Sequence, residues 1–386
     1  HHKNIMFAHD KIKEVFYEKI ELEKRKKLHM GISHILENQN DEHDENLIYE
    51  LAYHSIQAQN TDRILIYAYR AGIKAKNVFA NDQAKYYFEK TLEEINKKTS
   101  LSLREKEIKI KANERLGDIF LITGAYDSAI KIFTRLLRHT KNNKQKAVYY
   151  RQISLSYFKK GNWIDTEIYS LLALKLLNKR HQKKPFWVKL AIIKELGIRL
   201  LHRLFPFIFL RKKPNQKNDR YHILFWIYYT LNWLYALTDT KKFFYTVLKL
   251  LNMAERKIGP SKELGTSLTA YGAFLNLTKF PYSMILNYHK KGLKLKKKLK
   301  YDWGIAQSYQ FLGYFFLFKG QMIDCYLYLK ESVEKFKKLG DIREISISLN
   351  GLFLVEYYQG NYKEARKFNE EELAIAYLTK DQHSSS

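Results

Sequence analysis

The chain has 386 residues, 46% of them hydrophobic and 15% aromatic, with 5 Pro, 16 Gly and a single Cys. This composition excludes a disordered chain, a collagen and a disulfide scaffold, and Cys325 alone cannot build a cysteine-only metal site. The net charge of +28 is uneven: residues 1–100 carry 16 basic and 16 acidic side chains, residues 101–300 carry 42 and 12, and the last 86 sum to −2.

The start, His1-His2-Lys3, is followed by no apolar leader and reads as a cut inside a longer protein. Apolar residues then recur at helical spacing almost throughout, and alternating strand-like runs are missing. Residues 11–37 read as one long helix with Ile12, Val15, Phe16, Ile20, Leu28, Ile32 and Leu36 along one side. The acidic stretch 38–45 reads as a solvated loop, and shorter helices are expected over 46–59, 62–77 and 82–97. Asp62 and Asp82 fall at helix starts, where exposed amides favour a carboxylate. The most apolar stretch, 196–210, is interrupted by Arg199, His202 and Arg203, so no membrane span is expected. One cysteine fits a reducing, cytoplasmic setting.

The strongest signal is an internal repeat. Leu116-Gly117-x2-Phe120-x3-Gly124-x-Tyr126-x2-Ala129-x3-Phe133 resembles the tetratricopeptide pattern nearly position by position. Small Gly117 and Ala129 let two antiparallel helices approach, Phe120 and Phe133 fill between them, and Gly124 tolerates a positive φ in the turn. The next unit keeps Ile153, Tyr157, Gly161, Trp163 and Ala173 but has Thr166 in place of the small Ala. Gly313, Phe316 and Gly320, then Leu352, Gly360, Tyr362 and Ala365, repeat the frame at an interval of about 40. Stepping back by that interval puts turns at Lys279 and Asp239 and leaves a degenerate unit at 180–215. The expected fold is all-α: a right-handed superhelix of about eight tetratricopeptide-like hairpins.

The amino-terminal segment carries a second resemblance. Phe7-Ala8-His9-Asp10-Lys11-Ile12, then Arg25, Leu28-His29, Ile32 and Leu36-Glu37, is similar to the junction after the ATPase core of bacterial STAND-type signalling ATPases. Tyr69-Arg70-Ala71-Gly72 and Ala84-x3-Phe88 are similar to the start of the repeat array in those proteins. The resemblance implies a winged-helix tail over 1–40, linker helices over 41–100 and repeats over 101–380. It also implies that His9 senses a nucleotide phosphate and that Asp10 caps the following helix. The chain has no G-x4-G-K-[ST] loop, so ATP or ADP would bind an upstream ATPase domain of the parent polypeptide, and no cofactor is expected here.

Catalytic and metal-binding patterns are missing. His29 and His34 are five apart and do not share a helical face, and no G-x-S-x-G elbow occurs. Cys325 falls on a small-residue position of a repeat, where packing is its expected role. The sequence therefore reads as a binding scaffold. Tetratricopeptide groove residues lie at fixed offsets from the turn glycine, and the resemblance selects Lys111, Arg151, Gln307, Gln310, Tyr314 and Asn350 as contacts for a protein or peptide partner. The basic centre keeps a second reading open, in which nucleic acid or an anionic membrane surface docks on residues 101–300. Its marked runs are Arg211-Lys212-Lys213 and the lysines from Lys290 to Lys300. The amphipathic segment 187–205 fits a membrane-surface helix, and fits better a degenerate repeat helix closing a gap in the stack.

Overall fold

Helical periodicity without strand periodicity produces helices joined by connectors of a few residues, which forces neighbours to run antiparallel. A computed structural model describes residues 10–38, 47–179, 184–215 and 219–379, and among them there is no strand. The all-α architecture of consecutive tetratricopeptide-like hairpins expected from the repeat is the one observed. The chain divides into two compact units, 1–119 and 120–386.

The first unit begins with α1 (Asp10–Glu18) and α2 (Leu22–Asn38) in place of the single helix expected over 11–37. The break lets the chain turn so that the Tyr17 hydroxyl meets His29 Nε2 at 2.8 Å. Twelve residues apart on one straight helix, the two would be separated by about 18 Å. The stripe expected along that helix is not a core: Ile12, Val15, Phe16, Leu28 and Ile32 are exposed, and His29 and Ser33 are buried instead. Next come α3 (Ile48–Gln57), α4 (Thr61–Asn77) and α5 (Asn81–Lys97), within a residue or two of expectation. Asn60 caps α4 by accepting from the Arg63 amide at 3.0 Å, leaving Asp62 in the first turn. Helix α6 (Leu103–Ile122) opens on a reciprocal cap, in which Ser102 and Glu105 each bond the other's backbone amide. The boundary between the units falls inside α6. His9, and the acidic stretch 38–45 beyond Asn38, lie outside the described residues.

The second unit follows the repeat frame. Helix α7 (Tyr126–His139) shares a buried cluster with Leu121 at the end of α6 and packs on α8 (Asn143–Lys160), which pairs with α9 (Trp163–Leu176). Farther on, α12 (Asp219–Thr238) pairs with α13 (Thr240–Met253), and α14 (Lys262–Asn276) with α15 (Tyr282–Lys298). The last pairs are α16 (Asp302–Phe318) with α17 (Met322–Leu339) and α18 (Ile342–Tyr358) with α19 (Tyr362–Thr379). Each predicted turn glycine adopts the left-handed conformation: Gly124, Gly161, Gly320 and Gly360 have φ of 81°, 85°, 71° and 80°. The predicted turn at Asp239 is the N-cap of α13, whose carboxylate accepts from the Lys241 and Lys242 amides. Thr166, the departure from the repeat pattern, is fully buried with its hydroxyl donating to Asn162 O at 2.7 Å. Its carbonyl accepts from Ser154, so the polar substitution brings its own partners.

The degenerate unit is not a hairpin. Residues 185–209 form the long α10 (Pro185–Leu204) and the one-turn α11 (Pro206–Phe209), and α10 packs against α13. Two of the buried clusters of the second unit lie C-terminal to it in the chain for the most part. One centres on Phe225, Tyr228, Leu231 and Tyr235 of α12, and the other on Phe315, Leu329, Phe336 and Leu349 of α16 to α18.

Close helix approach makes some glycines irreplaceable. A Cβ at Gly292 would sit 2.5 Å from Thr269 Oγ1 and 2.8 Å from the Gly265 carbonyl oxygen, and that backbone cannot step aside. Gly292→Ala is expected to lower stability by about 1–3 kcal/mol in urea unfolding, the usual range for overpacking. Gly31→Ala, in α2 with open space around the new methyl, should raise it by about 0.5–1 kcal/mol through helix propensity. Equal effects at the two sites would show that helix spacing is not the constraint.

Candidate binding cleft

In the second unit the starts of α12 and α14 and the connector before α16 leave a cleft of about 710 Å³ beside α8. Its floor is aromatic. Trp226 of α12 lies under two cations, with the Arg151 guanidinium 5.6 Å and the Lys262 ammonium 5.8 Å from its ring. Lys300 and Tyr301 line it too, as do Pro214, Asn215 and Asp219. Lys300 holds φ at 50°, a conformation uncommon for a lysine, immediately before Tyr301 at the mouth of α16.

The cleft contains one fully buried carboxylate, Glu263 at the start of α14. Its Oε1 accepts from Trp226 Nε1 at 3.1 Å and lies 3.0 Å from His222 Nδ1. His222 Nε2 lies 3.0 Å from the Asn215 carbonyl. With acceptors at both ring nitrogens, the protonated ring is the form that satisfies them. Burial is the largest single influence and opposes both charges, but the hydrogen bond and attraction between the two, together with backbone hydrogen bonds to each, outweigh it, so His222 is raised above and Glu263 held below its ordinary pKa. Glu263 is thereby neutralised by its own partners, and Arg151, Lys262 and Lys300 leave the lining with an excess of positive charge. An apolar floor under an excess of cations suits an acidic ligand with an aromatic or aliphatic side chain.

Of the five expected groove residues in the second unit, only Arg151 is found at this cleft. Lys111 lies in the first unit, exposed and ion-paired with Glu107 at 2.5 Å. Gln307 and Gln310 do not line a groove, because both are buried in contacts between helices. Gln307 donates to the Tyr229 hydroxyl at 2.5 Å, and Gln310 donates to Glu344 O and Ser348 Oγ at 3.2 and 3.1 Å. Tyr314 donates to the Ile347 carbonyl at 2.6 Å, and burial raises its pKa. Asn350 is exposed and reaches Glu372 at 3.4 Å.

The reason lies in how α8, α12, α16 and α18 meet. Trp233 stacks on Phe311 across α12 and α16 with centroids 5.8 Å apart. At the end of α8, Lys159 Nζ reaches Asp341 Oδ1 at 3.1 Å, although 182 residues separate them. Arg343 lies over the Phe158 ring beside that pair. Residues that would line an open groove are here spent bonding one first helix to another.

Little in the local sequence marked the cleft, whose residues come from four separated segments. One spacing pointed to it: His222 and Trp226 are four apart on α12, and both reach Glu263. Elsewhere, His29 found a partner other than His34, its Nδ1 lying 2.7 Å from His54 Nδ1. Burial holds both imidazoles below their ordinary pKa. Among the described residues no cluster of three metal-ligating side chains occurs, and no helix is long and apolar enough to cross a membrane. Cys325 is buried, and burial pushes its thiol up to about 12.

No protein-family profile matches the chain, and no curated protein matches it by sequence. Among solved structures, it is similar to a Rap protein complexed with competence and sporulation factor at 10% identity and a TM-score of 0.45, covering 84% of this chain and 79% of that one. It is also similar to a STAND protein with a tetratricopeptide repeat sensor from Pyrococcus horikoshii, at 15% identity and a TM-score of 0.43. That match covers 97% of this chain and half of the Pyrococcus chain. BtubC from P. vanneervenii follows at 10% identity and a TM-score of 0.30, covering 78% of this chain and 92% of that one. Similarities this remote leave the functional argument to the chain's own residues.

Proposed function

We propose that this chain is a non-catalytic helical-repeat scaffold that binds an acidic segment of a partner protein in the cleft at Arg151 and Trp226. The observation that carries the reading is the cleft's lining, an indole floor under two cations with its only buried carboxylate already paired. The resemblance of residues 5–90 to STAND-type ATPases supports a place for the scaffold as the sensor arm of a cytoplasmic signalling ATPase. In that setting a winged-helix tail and a nucleotide-binding domain belong to the same polypeptide, and His9 reads the nucleotide's phosphate.

Fluorescence anisotropy with a labelled acidic peptide library containing one aromatic residue per peptide tests the cleft. Arg151→Glu and Lys262→Glu are each expected to weaken the selected peptide at least tenfold, and Trp226→Leu to weaken it without changing the salt dependence. Peptides that bind wild type and both charge-reversal variants equally would remove the cleft as the site. The ATPase reading stands apart: a nucleotide-loaded parent protein whose ATP turnover is unmoved by the selected peptide would remove it and leave the cleft in place.

A further inference from the structure

Helix α10 turns an apolar strip to water, while charged residues share its packed side with Val188, Ala191 and Ile192. The side against α13 holds Val188, Glu195 and His202, all buried, and the charged groups there are matched. Glu195 bonds Lys249 at 3.1 Å and Asn252 at 3.0 Å, and Arg199 and His202 both bond Glu255. The opposite side repeats Phe186, Leu190, Ile193, Leu200 and Leu204 at helical spacing, and these are 63, 42, 65, 57 and 56% exposed. Trp187 at one end and Phe207 and Ile208 of α11 at the other extend the strip, again exposed. At 20 residues the helix is about 30 Å long, so these side chains form one contiguous apolar strip rather than singly scattered surface residues.

The rim of the strip is cationic. Lys189, Lys194 and Arg203 flank it along α10, Lys184 precedes it, and exposed Arg211-Lys212-Lys213 follow α11. Between residues 184 and 213 the only acidic side chain is Glu195, which faces inward. We infer that α10 and α11 form an in-plane docking surface for an anionic lipid bilayer, with the apolar strip entering the acyl boundary and the flanking cations meeting the headgroups. Charge decides between occupants. A second copy of this chain would bring the same cationic rim against itself, whereas an anionic membrane complements it. The strip is a single helical face with an exposed Trp and Phe at its ends, the shape of an interfacial helix and unlike a groove that holds a peptide. This docking surface is separate from the Arg151 cleft, so either assignment can fail without the other.

Co-sedimentation of the full chain with phosphatidylcholine vesicles, with and without 30% phosphatidylserine, provides the test. Binding is expected to the anionic vesicles, to fall at least tenfold in Ile193→Glu/Leu200→Glu, and to weaken with added salt. Both substituted positions point to water, so the variant should keep its helical circular dichroism. Trp187 is the only exposed tryptophan of the five, so its emission should shift blue on the anionic vesicles, and Trp187→Phe should remove that shift. Absence of binding to anionic vesicles would overturn the assignment. So would a dimer in light scattering that the double substitution dissolves, since the strip would then be a self-interface.

Discussion

Asp341→Ala is expected to destabilise the second unit by about 3–5 kcal/mol, because it strands the Lys159 ammonium inside the fold. The pair is buried on both sides, with side chains 8% and 3% exposed. Asp341 opens α18, yet it does not cap its own helix. Its carboxylate instead accepts from Lys159 at 3.1 Å and from Trp303 Nε1 at 3.0 Å, with the Leu121 carbonyl 3.4 Å from the same ammonium. One acidic side chain thereby ties the end of α8 to the connector between α17 and α18. Replacing both partners with apolar residues of similar volume, Lys159→Met with Asp341→Leu, should recover most of the loss, since desolvating an ion pair consumes much of what its attraction returns. Guanidinium unfolding followed by tryptophan emission measures both variants. A loss below about 1 kcal/mol for Asp341→Ala would show that the pair is hydrated and the end of α8 only loosely held.

That contact also marks the limit of what the sequence disclosed. Features that depend on a few neighbouring residues were legible: the turn glycines at 124, 161, 320 and 360 all take the positive φ that their repeat position requires. The small positions that set helix spacing were legible for the same reason. Features made by residues from distant repeats were not. The family offsets pick positions on first helices correctly, but whether those positions face a groove depends on how closely the first helices meet. Here Tyr229 and Gln307, and Lys159 and Asp341, bond across that space. Charge misled in a similar way. The lysines from Lys290 to Lys300 stand out in the sequence as one basic run, yet Lys296 within it is fully buried while Lys290, Lys291, Lys294, Lys297 and Lys298 are exposed. Helical phase alone separates them: Lys296 lies four residues after Gly292 and seven after buried His289, on the face turned to α14.

Stability should rise with pH between about 7 and 10 on account of Lys296, a direction opposite to that produced by buried tyrosines. Among the described residues its ammonium has no carboxylate partner; it donates to Thr269 Oγ1 at 3.2 Å and Ser308 Oγ at 3.0 Å. Its stem packs on Gly265 and Gly304. Burial brings its pKa from 10.5 down to about 7. Above pH 7 the folded chain has released this proton while the unfolded chain keeps it, so the unfolded state binds more protons and stability climbs by up to about 1.4 kcal/mol per pH unit. The neighbouring His289 acts in the same direction at lower pH. Burial, then the charge of Lys296, takes it from 6.5 to about 3, so its contribution grows between those values. Near pH 10 the rise should end, because burial raises Tyr229 and Tyr301 above their ordinary values and unfolding then releases their protons. Lys296→Met keeps the stem's volume and removes the amine. Thr269 still donates to the Gly265 carbonyl, and Ser308 remains beside Thr269. The variant is expected to be more stable than wild type by about 2–4 kcal/mol at pH 7, with the gap closing as pH approaches 10. Urea midpoints across this pH series decide the matter: parallel curves for variant and wild type would mean that Lys296 remains charged and hydrated, and that the space between α14, α15 and α16 admits water.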